Sequence, residues 1–368
     1  MKSVLIIDCG NYNSVTTVQI NYIKCLLREG FDINYVIFKD GNQIDEIKYQ
    51  RWPQNQKIHY IELSNESITF RILSKLIGKS LLRFFRVYKH LKNSKHAICM
   101  EYYSAIPAYL YSLLKAKFTY QIASLELYNH LTPLVLKAMQ GAELITTQDE
   151  LRKTQLLKYY NIKLEHKVQI LYNTSLSWEP ITSEKVELPI EIQGQKIILF
   201  IGSLITEHCI EEVIDWIELI DEHFCIVFHG WGLSEPNKSR IVQLKENYPK
   251  KVWLTDIVLS EAEKWKMYNI ADYGVVMFNK NHRNNECAGL SAGKLFDFMR
   301  IGVPIIASKT ELLSSFILDL QIGVVYEKRN DINSLLLNLK KIDCDHLKMK
   351  FQDFSFDDKI NSVIENIF

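Results

Sequence analysis

Short apolar runs of strand length alternate with helix-length stretches along this chain, and the alternation begins twice. The first start is VLIID, within Ser3 to Asp8, followed by a polar loop from Gly10 to Ser14 and a helical stretch from Val15 to Leu27. Gly30 stops that helix before a second run, FDINYVIF, and HAICM, FTYQIAS, ELITT and KVQILYN follow among further helical segments. The second start is KIILFIGSL, with a helix from Glu211 to Leu219 and then the runs FCIVFHG and VWLTDIV. Apolar runs without alternation are what strands buried on both faces require, and their alternation with helices implies mainly parallel sheets. The expected fold class is therefore α/β, with two Rossmann-like doubly wound domains facing across a cleft at the carboxyl ends of their strands. Expected bounds are 1–175 for the first domain, a linker over 176–195 rich in Ser, Pro, Glu and Lys, and 196–350 for the second. A last helical segment over 351–368 is expected to pack back on the first domain.

Composition narrows the class. A length of 368 residues suits about two domains, and 47% hydrophobic with 24% charged residues is globular rather than disordered. A formal net charge of +1 gives no general case for nucleic acid, so any basic surface must be local. Seven cysteines without a C-x-x-C pair fit reduced thiols, not a zinc site or a disulfide framework. The amino-terminal apolar run is too short for a signal peptide, and no run reaches ~18 residues, so a cytoplasmic protein is expected.

The segment ECAGLSAGKLFDFMRIGVPIIAS reads as a loop, a helix and a buried strand, with Gly302 at the helix stop and Pro304 beyond it. Loop amides that open a helix favour an anion such as a diphosphate. This order resembles the nucleotide-sugar motif of the glycosyltransferase family 4 group, in which an acid five residues before the glycine of G-x-P contacts the ribose; Asp297 holds that position. The resemblance runs upstream through KVWLTDIVLSEAEKWKMYNIADYGVVMF, where Ile257 falls in the implied base-contacting loop. It includes FIGSL and FHGWG at two earlier strand ends, which place Gly202, Ser203, Gly230 and Gly232 beside the donor. AELITTQDELRK and QILYNTS resemble the end of the family's first domain.

The resemblance implies the GT-B fold and transfer from a nucleotide-sugar donor to a sugar or lipid-linked saccharide acceptor, as in bacterial surface polysaccharide synthesis. It also implies retention of configuration, no cofactor and no metal. Two departures from the pattern involve three positions. Ser203 and His208 stand where the family often carries an Arg and a Lys for the diphosphate, and Gly289 stands at the earlier acidic position, eight residues before Asp297. The missing charge is expected from Lys294, Arg283, His282 or His208, with the amides of Gly289, Leu290, Ser291 and Ala292. For Asp297, the competing reading is a surface carboxylate paired with Lys294 and Arg300, worth only ~0.2 to 0.5 kcal/mol per pair.

Between Arg71 and Lys95 lie eight Lys or Arg and no acid. Leu73, Leu76, Ile77, Leu81, Phe84, Phe85 and Tyr88 recur there at helical spacing, as in a helix that rests on an anionic membrane surface or packs on a core with a solvated basic face. The strand TYQIASLELYNH places Glu126 and His130 near a carboxyl strand end, as candidates for a general base or, equally, as polar strand-end residues bonded to backbone. The D-x-D from Asp343 to Asp345 reads as a solvated turn. Two other functions use this architecture: a nucleotide-sugar epimerase, and a non-catalytic partner subunit of glycosyltransferase form.

Overall fold

The computed structural model describes residues 2–8, 17–39, 55–64, 78–123, 132–159, 165–255, 257, 259–260, 263–279, 289–327 and 332–365. The chain divides into two compact units, Met1–Tyr172 with Phe356–Phe368, and Asn173–Ser355.

The first unit holds β1 (Ser3–Asp8), β2 (Asp32–Lys39), β3 (Ile58–Ser64), β4 (His96–Met100), β5 (Thr119–Ala123), β6 (Leu144–Thr147) and β7 (Val168–Ile170). They form one parallel sheet in the order β3-β2-β1-β4-β5-β6-β7. Val4, Leu5, Ile6 and Ile7 are fully buried along β1, as a central parallel strand covered on both faces must be. β3 is an outer strand in which, among the described side chains, only the first residue, Ile58, is buried, and so it lacks the continuous apolar run that marks its neighbours. The last helix, Phe356–Glu365, lies in this unit, where Phe356 meets Tyr22 of the helix Thr17–Arg28 edge-on at 6.1 Å.

The basic segment is described as a helix over Lys79–Lys92, and 71–77 lie outside the described residues. Its inward face differs from the expected stripe: Leu82, Phe84, Val87 and Leu91 are buried together with Arg83, whose guanidinium lies 5.4 Å from the centre of the Phe38 ring. Leu81, Phe85 and Tyr88 face outward, Phe85 being 58% exposed. Spacings of three and four residues mark a helical stripe without saying which side the core takes.

In the second unit β8 (Lys196–Ser203), β9 (Phe224–Trp231), β10 (Val252–Thr255), β11 (Tyr273–Val276), β12 (Ile305–Ser308) and β13 (Gly323–Tyr326) form a parallel sheet in the order β10-β9-β8-β11-β12-β13. The strand order reverses between β8 and β11, the point at which open α/β sheets leave a crevice. Trp216, Phe200 and Phe228 fill the core beside that point.

Residues 176–195 are bonded to this unit: Arg300 donates to the Ser177 and Glu179 carbonyls, Asn269 to those of Thr182 and Glu184, and Val186 N to Lys266 O. Asp343 is the amino-terminal cap of the helix Cys344–Gln352, accepting from Asp345 N at 2.9 Å. That is a structural use of the D-x-D.

Candidate donor site

The carboxyl ends of β8 and β9 meet glycine to glycine. Gly202 and Gly230 are in register, and a Cβ on Gly230 would stand 1.7 Å from Gly202 O, so no other residue fits there. Gly230 and Gly232 are exposed, which leaves open backbone at this strand end. After Ser203 the chain turns through Thr206–His208 into the helix Ile210–Leu219, with Cys209 at its cap in the left-handed region at φ 59° and ψ 37°. Left-handed backbone is uncommon for a residue with a side chain. Burial pushes the Cys209 thiol up to about 12, helped by the neighbouring Glu212, so it stays protonated.

Across the switch point, β11 runs on into Phe278 and Asn279. Asn279 ties this end to the turn after β8, its amide donating to Glu207 O at 2.9 Å and its side chain to Thr206 O at 3.0 Å. Phe278 N donates to Ser308 Oγ at the end of β12, at 2.9 Å. The helix Gly293–Ile301 then begins with Lys294 in its first turn and ends at Gly302, φ 78°, with Pro304 leading into β12, as the sequence suggests.

Lys294 is the electrostatic centre of the site. The residue as a whole is partly buried, but its Nζ is enclosed and has no hydrogen-bond partner among the described residues. It lies 4.9 Å from the centre of the Phe200 ring and 5.6 Å from that of Phe278. Aromatic faces offset part of an ammonium's desolvation, by ~0.5 to 2 kcal/mol. Burial still lowers its pKa to about 8.

His208 lies against the same group, its ring 4.9 Å from Phe278 and edge-on to it. Burial, and then the charge of Lys294, lower its pKa to about 3. Its Nδ1 is 2.9 Å from Ser203 O, a carbonyl that can only accept, so the proton sits on Nδ1. His208 is thus a neutral ring and not the second cation expected from the sequence.

The remaining site residues fall as follows. Gly289 packs against the helix Glu311–Asp319, where a Cβ would lie 2.7 Å from Leu313 Cβ; the absent acid is absent because nothing larger fits. Leu290 is buried, Ser291 O accepts from Asn173 Nδ2 at 2.9 Å, and Ala292 caps the helix. Ile257 is 36% exposed and its amide donates to Thr255 Oγ1 at 3.2 Å. Arg283, Glu126 and His130 lie outside the described residues.

Asp297 is buried, and its partner comes from far along the chain: Lys264 Nζ donates to Oδ2 at 3.2 Å. The expected helix neighbours are engaged elsewhere, Lys294 between the two rings and Arg300 on Ser175 Oγ at 3.0 Å and on the Trp265 face. A surface pair with either is not what holds this acid.

Lys294 and the strand-end glycines are named by the sequence reading, whereas the rings of Phe200 and Phe278 beside Lys294, the Asn279 tie and the Lys264 partner of Asp297 are not. Phe200 and Phe278 lie in apolar runs that read simply as strand, and nothing local to Lys264 signals a buried pair.

No family model matches the sequence, and no curated protein matches it either. Solved structures do. Sucrose-phosphate synthase from Thermosynechococcus elongatus superposes with a TM-score of 0.69 at 11% identity, covering 100% of this chain and 99% of that one. HepE of Anabaena in complex with UDP and glucose gives 0.67 at 12% identity, covering 100% and 99%. The lipopolysaccharide outer core galactosyltransferase WaaB gives 0.65 at 12%, covering 100% of both chains. The fold is the GT-B fold of glycosyltransferases, two doubly wound α/β domains in one chain.

Proposed function

We propose that this protein is a glycosyltransferase of the family 4 type, which moves a sugar from a nucleoside-diphosphate donor to a saccharide or lipid-linked saccharide in the synthesis of a bacterial surface polysaccharide. The observation that carries the reading is the Lys294 ammonium, enclosed without a hydrogen-bond partner among the described residues, in the first turn of a helix at the switch point of the second sheet. A buried cation with that surrounding suits an anion, and helix amides favour the same charge. In this reading the diphosphate meets Lys294 and the amides of Ser291 and Ala292, and the exposed backbone of Gly230 and Gly232 admits it closely. Asp297, tied to Lys264, turns its carboxylate to the ribose hydroxyls. The leaving diphosphate is stabilised by Lys294, with no metal and with retention at the anomeric carbon.

UDP is the first nucleotide to try, because HepE is a relative in fold that was solved with it. In a thermal-shift series with UDP, GDP, ADP and CMP, one nucleotide is expected to raise the melting temperature, as a ligand at 100 times its Kd adds about 2.7 kcal/mol. A series in which none does so removes the donor site. Donor turnover with a saccharide acceptor then separates a transferase from an epimerase, which needs none, and from a partner subunit, which binds without turnover.

A lipid-linked acceptor is supported by the outward face of the helix Lys79–Lys92, where Leu81, Phe85 and Tyr88 stand beside Lys89 and Lys92. Tyr88 packs on Tyr111 at 5.7 Å, and the neighbouring helix ends in exposed Leu113 and Leu114 followed by Lys115 and Lys117. Apolar side chains among cations suit an anionic bilayer surface, at ~1 kcal/mol per engaged cation. Cosedimentation with phosphatidylglycerol vesicles should fall steeply with salt and weaken in Phe85→Ser; no binding at low salt would rule out this surface.

A further inference from the structure

The second unit begins at Asn173, and its first three side chains are polar and bonded to three different elements. Asn173 Nδ2 donates to Ser291 O at 2.9 Å, Thr174 Oγ1 donates to Phe354 O at 3.1 Å, and Ser175 Oγ accepts from Arg300 at 3.0 Å. Thr174 and Ser175 are buried. Their bonds fix the chain next to Asn173 and give its carboxamide a rigid mount. Of the three, only Asn173 reaches the loop that opens the helix Gly293–Ile301.

That bond fixes more than a carbonyl. A trans peptide is planar, so its C=O and the N–H of the next residue point in opposite directions, and no cis peptide occurs among the described residues. With Ser291 O turned to Asn173, the Ala292 N–H points the other way. Ala292 caps the helix, two residues before Lys294. One side chain therefore sets the direction of an amide at the opening of the helix that carries Lys294.

Packing alone does not account for asparagine here. Its Oδ1 is enclosed without a hydrogen-bond partner among the described residues, and an enclosed acceptor left unpaired works against folding. Leucine has the same branched outline and would fill the space without that penalty. What leucine lacks is the donor to Ser291 O.

We infer that Asn173 is a positioning residue for the Ala292 amide: it holds the Ser291–Ala292 peptide in the one orientation that aims this amide at a diphosphate. The diphosphate rests on the donor reading above, whereas the hold on the peptide plane does not. Asn173 touches no ligand in this role. Without its bond the plane is free to turn, and a ligand must order it on binding.

The test compares Asn173→Leu and Asn173→Ala with the wild type, all full length. Both variants lose the donor, but only leucine keeps the outline. Each is expected to bind inorganic pyrophosphate and UDP about tenfold more weakly, the worth of one hydrogen bond to a charged group. The factor should be the same for the two ligands, because the amide meets only phosphate. In protein labelled with 15N at alanine, pyrophosphate should shift the Ala292 amide of the wild type, and the shift should shrink in both variants; Ala292→Gly identifies the peak by its loss. An Asn173→Leu protein with wild-type affinity and an intact Ala292 shift would make Asn173 a packing residue and overturn the inference, while leaving the donor reading in place. Weaker binding of UDP with pyrophosphate unchanged would also overturn it, since the contact would then lie at the nucleoside. Should Asn173→Leu fail to fold, Asn173→Ala is read in its place by the Ala292 shift. A wild type that binds neither ligand removes the donor reading and this role with it.

Discussion

Replacing Lys294 with methionine should weaken UDP binding by about a hundredfold or more while making the ligand-free protein more stable at pH 7. The two effects have opposite signs because the ammonium is enclosed without a hydrogen-bond partner among the described residues, and a bound diphosphate would supply one. Truncating one member of a buried, hydrogen-bonded charge pair costs ~2 to 5 kcal/mol of binding, which sets the first magnitude. The second follows from the pKa, lowered from 10.5 to about 8 by burial. Below pH 8 the folded protein carries the charge inside, at a cost of roughly 3 kcal/mol relative to the unfolded chain. Between pH 8 and 10.5 the folded state gives up the proton while the unfolded state keeps it, so wild-type stability rises through that window. The methionine variant lacks this rise and starts from a higher value.

UDP acts in the other direction. Its diphosphate favours the charged ammonium, so affinity is expected to hold up to about pH 8 and fall above it. His208, with its pKa at about 3, adds no transition in this range. Urea denaturation at pH 7 and pH 10, with calorimetric titration of UDP at both, measures all of this. A methionine variant that binds UDP within about threefold of wild type, a difference under 1 kcal/mol, would remove Lys294 from the diphosphate contact.

The fold was more legible in the sequence than the site, and the reason is physical. Parallel strands buried on both faces advertise themselves, so runs such as VLIID, HAICM and KIILFI fall on β1, β4 and β8, and the doubly wound order follows from the alternation. β3 is quieter because an outer strand needs no continuous apolar run. At the site, Lys294 was legible as a cation at a helix start, but its aromatic enclosure was not, since Phe200 and Phe278 look like any strand residues. Backbone conformation is hardest to read. Glu101 and Cys209 both adopt positive φ, and neither residue type signals it, whereas glycine at such a position would. Lys264 pairs with Asp297 across 33 positions of sequence, beyond the reach of any helical spacing rule.

That pair supports the last large effect. Asp297→Ala is expected to destabilise the protein by about 3 to 5 kcal/mol, because it takes the opposing carboxylate from a lysine that the fold keeps largely from water. The side chains of Lys264 and Asp297 are only 17% and 6% exposed, and the ammonium also lies 4.9 Å from the centre of the Trp265 ring. Removing both charges should reverse the loss: Asp297→Leu with Lys264→Met replaces the pair with apolar volume, a change that is often neutral or stabilising. The double variant therefore separates two roles for one carboxylate. Where Asp297 only neutralises Lys264, the refilled protein regains both its stability and the UDP shift. Where the carboxylate also meets the ribose hydroxyls, stability returns and the UDP shift does not, since leucine cannot accept those hydrogen bonds. Denaturation midpoints of wild type, single and double variants give the coupling between the two residues. Recovery of UDP binding alongside stability would confine Asp297 to its partnership with Lys264.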